Sequence, residues 1–591
     1  MDELDPRDGE QIPKFAEPEP EPAPAPAPVN PERPAVTSPV GRPSRTRWAV
    51  GGLVAVLSIV GAVAAAVILG ARPLPEALRY LPADSRVVIE LRPDLPGDQR
   101  QNLGNLLANF PGFADQSTLG AKLDETFDRI VSQASNGSVD YATRVKPLLA
   151  GPLVAALGAD GLSRLTDGGR GVRGLLVATT DGSASCEVVF GSTSALETHR
   201  DVQIRAIGND LACAVDGRFL LAGDADSIRS GIDAHIDRTG VDTNARFKAA
   251  YERLDGEQIG LVFVDGTALA EVLKGLGPSA GFDSALAPHV ADWMVVGLRV
   301  VDDAIQVELQ AAPVPETEIS GSVPTDPPPA RSRFAPVLPA DTLGFVEAHG
   351  MGANLQRALG VLKADGKQAD LVGQIEQALS AVGGIQNVAS WIEDLGVAAI
   401  PVGDSVGGVV LIRGTDAAAV SSRVTQLRNL LILASTGTDI TVRDTDHDGV
   451  TITRVDLGDL ESLLSGLGVD PGVTGSGARF AFSLAMRGDV LLVGVGEGVI
   501  ERVLDTTSGS SLSASATYRR VIELAGSPND AEVFVAIDGL LRWVESSLPS
   551  ALDGNDWTTE LKPYVEHFAG FGASTLTTET GGRSRLVITV K

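Results

Sequence analysis

Two cysteines, six histidines and an aromatic content of 4% are a small allowance for 591 residues. So few cysteines exclude a disulfide scaffold, so the core must hold by burial. Cys186 and Cys213 can form one bond or remain two buried thiols, and neither has a neighbouring His or Lys that would point to catalysis. The histidines, at 199, 235, 289, 349, 447 and 567, show no HExxH and no paired metal spacing. Positive charge is also short: 48 Lys and Arg face 76 Asp and Glu, a formal net charge of -28. That balance excludes a nucleic-acid partner, which needs a basic surface against phosphates. No cofactor is expected.

Charge is absent altogether from WAVGGLVAVLSIVGAVAAAVILGA, residues 48–71, which is bracketed by Arg47 and Arg72. As a helix it would reach about 36 Å, enough for a hydrocarbon core of about 30 Å with some tilt. It lacks the polar face of a buried core helix, and it is too long and too far along the chain for a secretory signal. A single transmembrane helix is expected. Arg33, Arg42, Arg45 and Arg47 precede it while Arg72, Glu76 and Arg79 follow, which places the N-terminus in the cytoplasm and the large C-terminal region outside it. Residues 1–47, with EPEPEPAPAPAPVNPERP at their centre, have little to bury and read as a disordered Pro-rich cytoplasmic tail.

Beyond the span, the 43% apolar content is ample for a sizeable core. Leu81-Pro82-Ala83-Asp84 returns as Leu338-Pro339-Ala340-Asp341, each leading into a short apolar strand. Later segments keep step. GRFLLAGDADSIRSGIDAHI and TNARFKAAYERLDGEQIGLVFVDGTALAEVL match GDVLLVGVGEGVIERVLDTT and SASATYRRVIELAGSPNDAEVFVAIDGLLRWV in the order strand, helix, helix, strand, Asp-Gly, helix. Each half closes with a strand pair, with turns expected at Asp302-Asp303 and Gly581-Gly582. These matches predict two tandem related repeats, 72–314 and 336–591, joined by a Pro-rich linker at 315–335.

Amphipathic spacing at Leu119, Leu123, Phe127, Ile130 and Val131, and at Leu371, Ile375 and Leu379, predicts a helix in each half. Apolar runs around Asn-Asp and Asp-Gly predict hairpins. The expected class is α+β, each repeat a mostly antiparallel sheet with helices on one face.

The segment RYLPADSRVVIELRPDLPGDQRQNLGNLLANFPGF and the helix after it resemble the opening of a bacterial family catalogued as domain of unknown function 3352. The resemblance covers most of the chain after the span and implies a single-span membrane protein with a large exported region. Its motifs are of the packing type and carry no catalytic residue over.

Four further patterns bear on chemistry. GDSVGG at 403–408 fits G-x-S-x-G around Ser405, but a nucleophile elbow needs a strand before and a helix after, and here strand-like VAAIPV and VVLIRG flank it. GPSAG at 277–281 follows a helix and fits less well. Asp444, Asp446 and Asp448 open a calcium-loop pattern whose twelfth position is Val455 rather than Glu, so they are a weak Ca²⁺ candidate between strands. GVGEG at 494–498 hints at a phosphate cradle, but it has no Walker Lys and its counterpart in the first half carries Asp224 and Asp226.

The expectation is therefore a membrane-anchored, extracytoplasmic binding or scaffold protein of unknown ligand, without a catalytic site. The alternatives are a cell-envelope serine hydrolase using Ser405 and an accessory subunit of a membrane complex.

Overall fold

The computed structural model describes residues 74–591 apart from 114, 135–136, 138, 160, 162–172, 208–209, 269–290, 314–327, 357–389, 437–439, 460–478 and 548–556. The stretch 48–71, the tail before it, Leu371, Ile375, Leu379 and the 277–281 motif lie outside the described residues. Among the described residues no helix is long and apolar enough to cross a membrane.

The described chain is a mixed helix and strand structure built on one large antiparallel sheet of twenty strands. The first ten strands are β1 (Val87–Leu91), β2 (Leu153–Leu157), β3 (Leu175–Thr179), β4 (Ser194–His199), β5 (Val202–Ile207), β6 (Leu211–Asp216), β7 (Phe219–Gly223), β8 (Gly260–Asp265), β9 (Trp293–Val301) and β10 (Ala304–Ala311). The second ten are β11 (Gly344–Ala348), β12 (Ile392–Val402), β13 (Ser405–Gly414), β14 (Thr441–His447), β15 (Val450–Asp459), β16 (Arg479–Arg487), β17 (Val490–Val495), β18 (Ala531–Val535), β19 (Phe568–Thr578) and β20 (Gly581–Val590).

Pairing runs β4-β5-β6-β7-β3-β2-β1-β8-β9-β10 in the first half. In the second it runs β14-β15-β16-β17-β13-β12-β11-β18-β19-β20. The two closing strands pair with each other, from Ala304 opposite Thr589 to Ala311 opposite Gly582. The sheet is thus continuous, where a separate sheet in each half was expected. Its middle strands are two closing hairpins laid side by side.

Among the described residues the α-helices of five or more residues are α1 (Gln99–Leu107), α2 (Leu119–Ala134), α3 (Cys186–Phe190), α4 (Ala225–Asp237), α5 (Ala245–Arg253), α6 (Ala417–Ser435), α7 (Val499–Leu504), α8 (Ala516–Ala525) and α9 (Ile537–Ser547). Their starts follow from capping chemistry. Asp224 accepts from the Ser227 amide at 3.0 Å, Asn244 from Arg246 and Phe247 at 2.8 and 3.1 Å, and Asp416 from Ala419 at 2.7 Å, each satisfying amides that a helix start leaves free.

Two cores lie under one face of the sheet. One joins Val88, Val154 and Phe263 to Ile228 and Ile232 of α4 and Phe247 of α5. The other joins Phe345 and Phe534 to Ile500 and Val503 of α7 and Tyr518, Val521 and Ile522 of α8. Gly572 lets α8 come close, since a Cβ there would lie 2.2 Å from Val521 Cγ1. Phe334 and Ala335 are fully buried in the second core, so the end of the expected linker belongs to the fold.

Two local expectations change. The last hairpin turns at Glu579-Thr580, and Gly581 instead opens β20 at φ 132°, where a Cβ would lie 2.1 Å from the Ala311 carbonyl oxygen. Helices also occupy parts of both faces: α6 packs Val420 and Val424 on Leu484 and Leu491, on the face opposite α7 and α8.

Candidate functional site

Residues directly opposite in an antiparallel ladder share a face, so the registers trace rows across the sheet. One row crosses eleven strands from β2 to β13: Leu153, Leu91, Gly260, Leu298, Val307, Leu586, Ala573, Val533, Val346, Val397 and Val410. Two residues along lies a second: Ala155, Ile89, Val262, Val296, Leu309, Ser584, Thr575, Ala531, Ala348, Leu395 and Ile412. Neither row contains a charged residue. All these side chains are at least partly solvent-accessible except at Gly260. Leu91 is 37% exposed, Leu586 40%, Val346 46% and Val397 48%.

The row between these two points to the opposite, helix-covered face and reads Val154, Glu90, Leu261, Gly297, Glu308, Arg585, Ser574, Glu532, Glu347, Gly396 and Leu411. Glu90, Glu308, Glu347 and Glu532 are buried. An amphipathic strand ordinarily turns its apolar side to the core and its polar side to water. Strand β10 does the reverse. Gln306, Glu308 and Gln310 are buried while Val307 and Leu309 remain partly exposed. Strands β1 and β11 behave alike, with Glu90 and Glu347 inside and Ile89 and Val346 outside.

The buried charges are held by partners. Arg585 Nη2 donates to Glu308 at 3.2 Å and also to Asp255, while Gln310 Nε2 donates to Glu308 at 2.7 Å. Glu347 accepts from the Arg333 amide at 2.8 Å and from the Ser332 hydroxyl. Glu532, opposite it, accepts from Asn529 Nδ2 at 3.0 Å and from the Tyr518 hydroxyl.

Glu90 and Glu347 stand at the same spacing after the two LPAD turns. Burial pushes the Glu90 carboxyl up to about 7, against the pull of Arg92, whose guanidinium lies 3.6 Å away. Burial likewise raises Glu347. Where the first half has Arg92, the second has His349, whose Nδ1 lies 3.1 Å from Asp394 and 3.7 Å from Glu347. Burial opposes the charged imidazole, but the bond to Asp394 and the field of Glu347 outweigh it and raise its pKa.

Potential ligand atoms of Glu347, His349 and Asp394 lie within 4.8 Å of one another. Their oxygens already accept from Ser332, Arg333 and His349, and Arg413 Nη1 donates to Asp394 at 2.8 Å. A guanidinium at that distance and carboxylates already in use suit a shared-proton network rather than a metal centre.

The residues singled out in the sequence fall elsewhere. Ser405 is exposed and opens β13 directly after the two-residue turn Gly403-Asp404, so a strand rather than a helix follows it. Asp444 is taken by Arg428 and by Thr453 Oγ1 at 2.8 Å, and Asp446 accepts from the Gly449 amide at 3.2 Å. Asp448 groups with His447 and Asp505 rather than with those two. Cys186 and Cys213 are joined by a disulfide that ties α3 to β6, with Cα atoms 5.9 Å apart. Clefts of about 340 Å³ and 220 Å³ lie beside the two LPAD turns, the larger walled by α9 and the smaller by the start of α4.

These features define a mixed α/β chain with a charged row buried on one side of its sheet and an aliphatic strip left open on the other. The family model described as "Protein of unknown function (DUF3352)" matches residues 49–588, and the chain belongs to that family. No curated protein matches. Solved structures of TP0453 show a slight likeness. Crystal form I has a TM-score of 0.22 at 9% identity, covering 42% of this chain and 81% of that one. Crystal form IV has a TM-score of 0.22 at 12% identity, covering 39% and 79%. A likeness at that level carries nothing over to this chain.

Proposed function

We propose that this chain is a membrane-anchored, extracytoplasmic, non-enzymatic binding protein whose working surface is the open aliphatic face of its sheet. One observation carries the reading. Two uncharged rows cross eleven strands while the charges between them are buried on the other side. A contiguous apolar patch of that extent marks an interaction surface.

The anchor is residues 48–71, with the N-terminus cytoplasmic, as the uncharged run and its arginine flanks favour. The Cys186–Cys213 disulfide supports an oxidising compartment for the remainder. The two halves are tandem related repeats, supported by the LPAD turns, by the identical order of ten strands in each half and by the meeting of the two closing strands.

The test is native mass spectrometry of residues 73–591, purified without detergent from their own envelope and compared with the denatured sample. A ligand of defined mass released on denaturation is the expected result. An apo mass with all material monomeric would overturn the binding reading. Topology is checked by protease access to terminal tags in intact cells, with the C-terminal tag expected to be cut.

A further inference from the structure

Resting on the reading of the open face as a binding surface, we infer that its occupants are fatty-acyl chains of envelope lipids, laid across the strands. The strip has the right chemistry and little else. Its side chains are Val, Leu, Ile and Ala with one Gly, one Ser and one Thr, and the backbone groups beneath them are paired in the ladders. Apart from the hydroxyls of Ser584 and Thr575 it offers no side-chain hydrogen bonds, and it lacks the Trp, Tyr and Arg anchors on which protein interfaces concentrate their affinity.

Charge decides against a second copy. The strip is uncharged, but the chain carries -28, and two copies laid face to face would bring two strongly acidic bodies together. A hydrocarbon chain meets no such repulsion.

The run is longer than one chain. Eleven strands at about 4.8 Å give a run of roughly 50 Å, against about 15 Å for an acyl chain in one bilayer leaflet, so it takes more than one chain end to end, and the two rows stand about 7 Å apart. The run is stopped at both ends. The disulfide and α3 cover Cys213 and Leu220 at one, and α6 covers Leu484 and Leu491 at the other. Toward one long edge, α1 and Phe110 close over Val300, Ile305 and Phe568. Acyl chains are the simplest bodies that need only aliphatic contact along such a track.

The proposal is tested on the full chain in cells grown with radiolabelled palmitate. Photo-reactive benzoylphenylalanine replaces Leu91, Val346 or Leu586 on the strip, or Leu433, which is 72% exposed on α6, as control. After irradiation, label is expected on the chain from each of the three strip positions and none from Leu433. Equal label at Leu433 would mean general contact with a lipid surface and would overturn the proposal. So would adducts at twice the chain's mass, or cross-links from the strip to residues 357–389, without label. Those last two outcomes leave the face a binding surface with another occupant. A strip that cross-links to nothing overturns the preceding reading as well.

Discussion

Along its central rows the sheet inverts the usual arrangement of an antiparallel protein. The face under α4, α5, α7 and α8 buries four glutamates in one row, beside a partly buried Arg585, while the face left partly open carries aliphatic side chains at nearly every position of two rows. Folding alone does not call for this. A chain that needed only a stable core would place Val307 and Leu309 inside and Glu308 outside, because burying a charge is costly even when it is paired. The inversion therefore teaches that the open face is shaped by something other than the core, and that the buried row is retained despite its cost.

Substitutions at three places sharpen this contrast. The largest effect is expected at the centre of the buried row. Arg585→Ala removes a partner of Glu308 and leaves a buried carboxylate uncompensated, which should lower unfolding stability by about 3–5 kcal/mol. The double change Arg585→Met with Glu308→Gln should recover most of that loss in denaturant titration. If the double variant is no better than the single one, the charges matter for more than their mutual compensation.

Next comes Glu90. Its pKa is raised in the folded state, so the stability linked to its neutral form is fully present below the ordinary glutamate range and is lost as pH rises through about 7. Glu90→Gln should therefore stabilise the protein by up to about 3 kcal/mol at pH 8 and leave it unchanged at pH 4. Equal midpoints for both proteins at pH 8 would mean that Arg92 holds the glutamate charged at little cost.

The smallest effect on stability is expected on the open face. Val346→Asp with Val397→Asp places two carboxylates at partly exposed positions and should shift the unfolding free energy by less than about 1 kcal/mol. The same pair should abolish retention of any ligand seen by native mass spectrometry. A large loss of stability would show that the face is packed as core rather than left open for a partner.

Much of the fold was legible in the sequence because it depends on local chemistry. The LPAD turns, the hairpins around Asp302 and Asp448 and the capped helices α4 and α5 follow from spacing and from residues that favour positive φ or helix starts. The open aliphatic face was not legible. In VVIEL the alternation separates Val87, Ile89 and Leu91 from Val88 and Glu90, and the ordinary rule sends the wholly apolar set inward, whereas the structure buries Val88 and Glu90. Which side helices cover is settled by α4, α5, α7 and α8 and by the pairing of β10 with β20, contacts far apart in the chain. The polar side of β10, AIQVELQA, was the available signal, because its counterpart in the closing pair holds Arg583 and Arg585, which suit a Gln and Glu row.

The central claim, that the aliphatic face is covered in the native protein, is tested most directly by carbene footprinting of the full chain. The labelling is done in intact cells and repeated after delipidation. Val346, Val397 and Leu586 should be protected before delipidation and labelled after it, while Leu433 is labelled in both. Strong labelling of all four positions in intact cells would contradict the account, because the strip would then be bare surface.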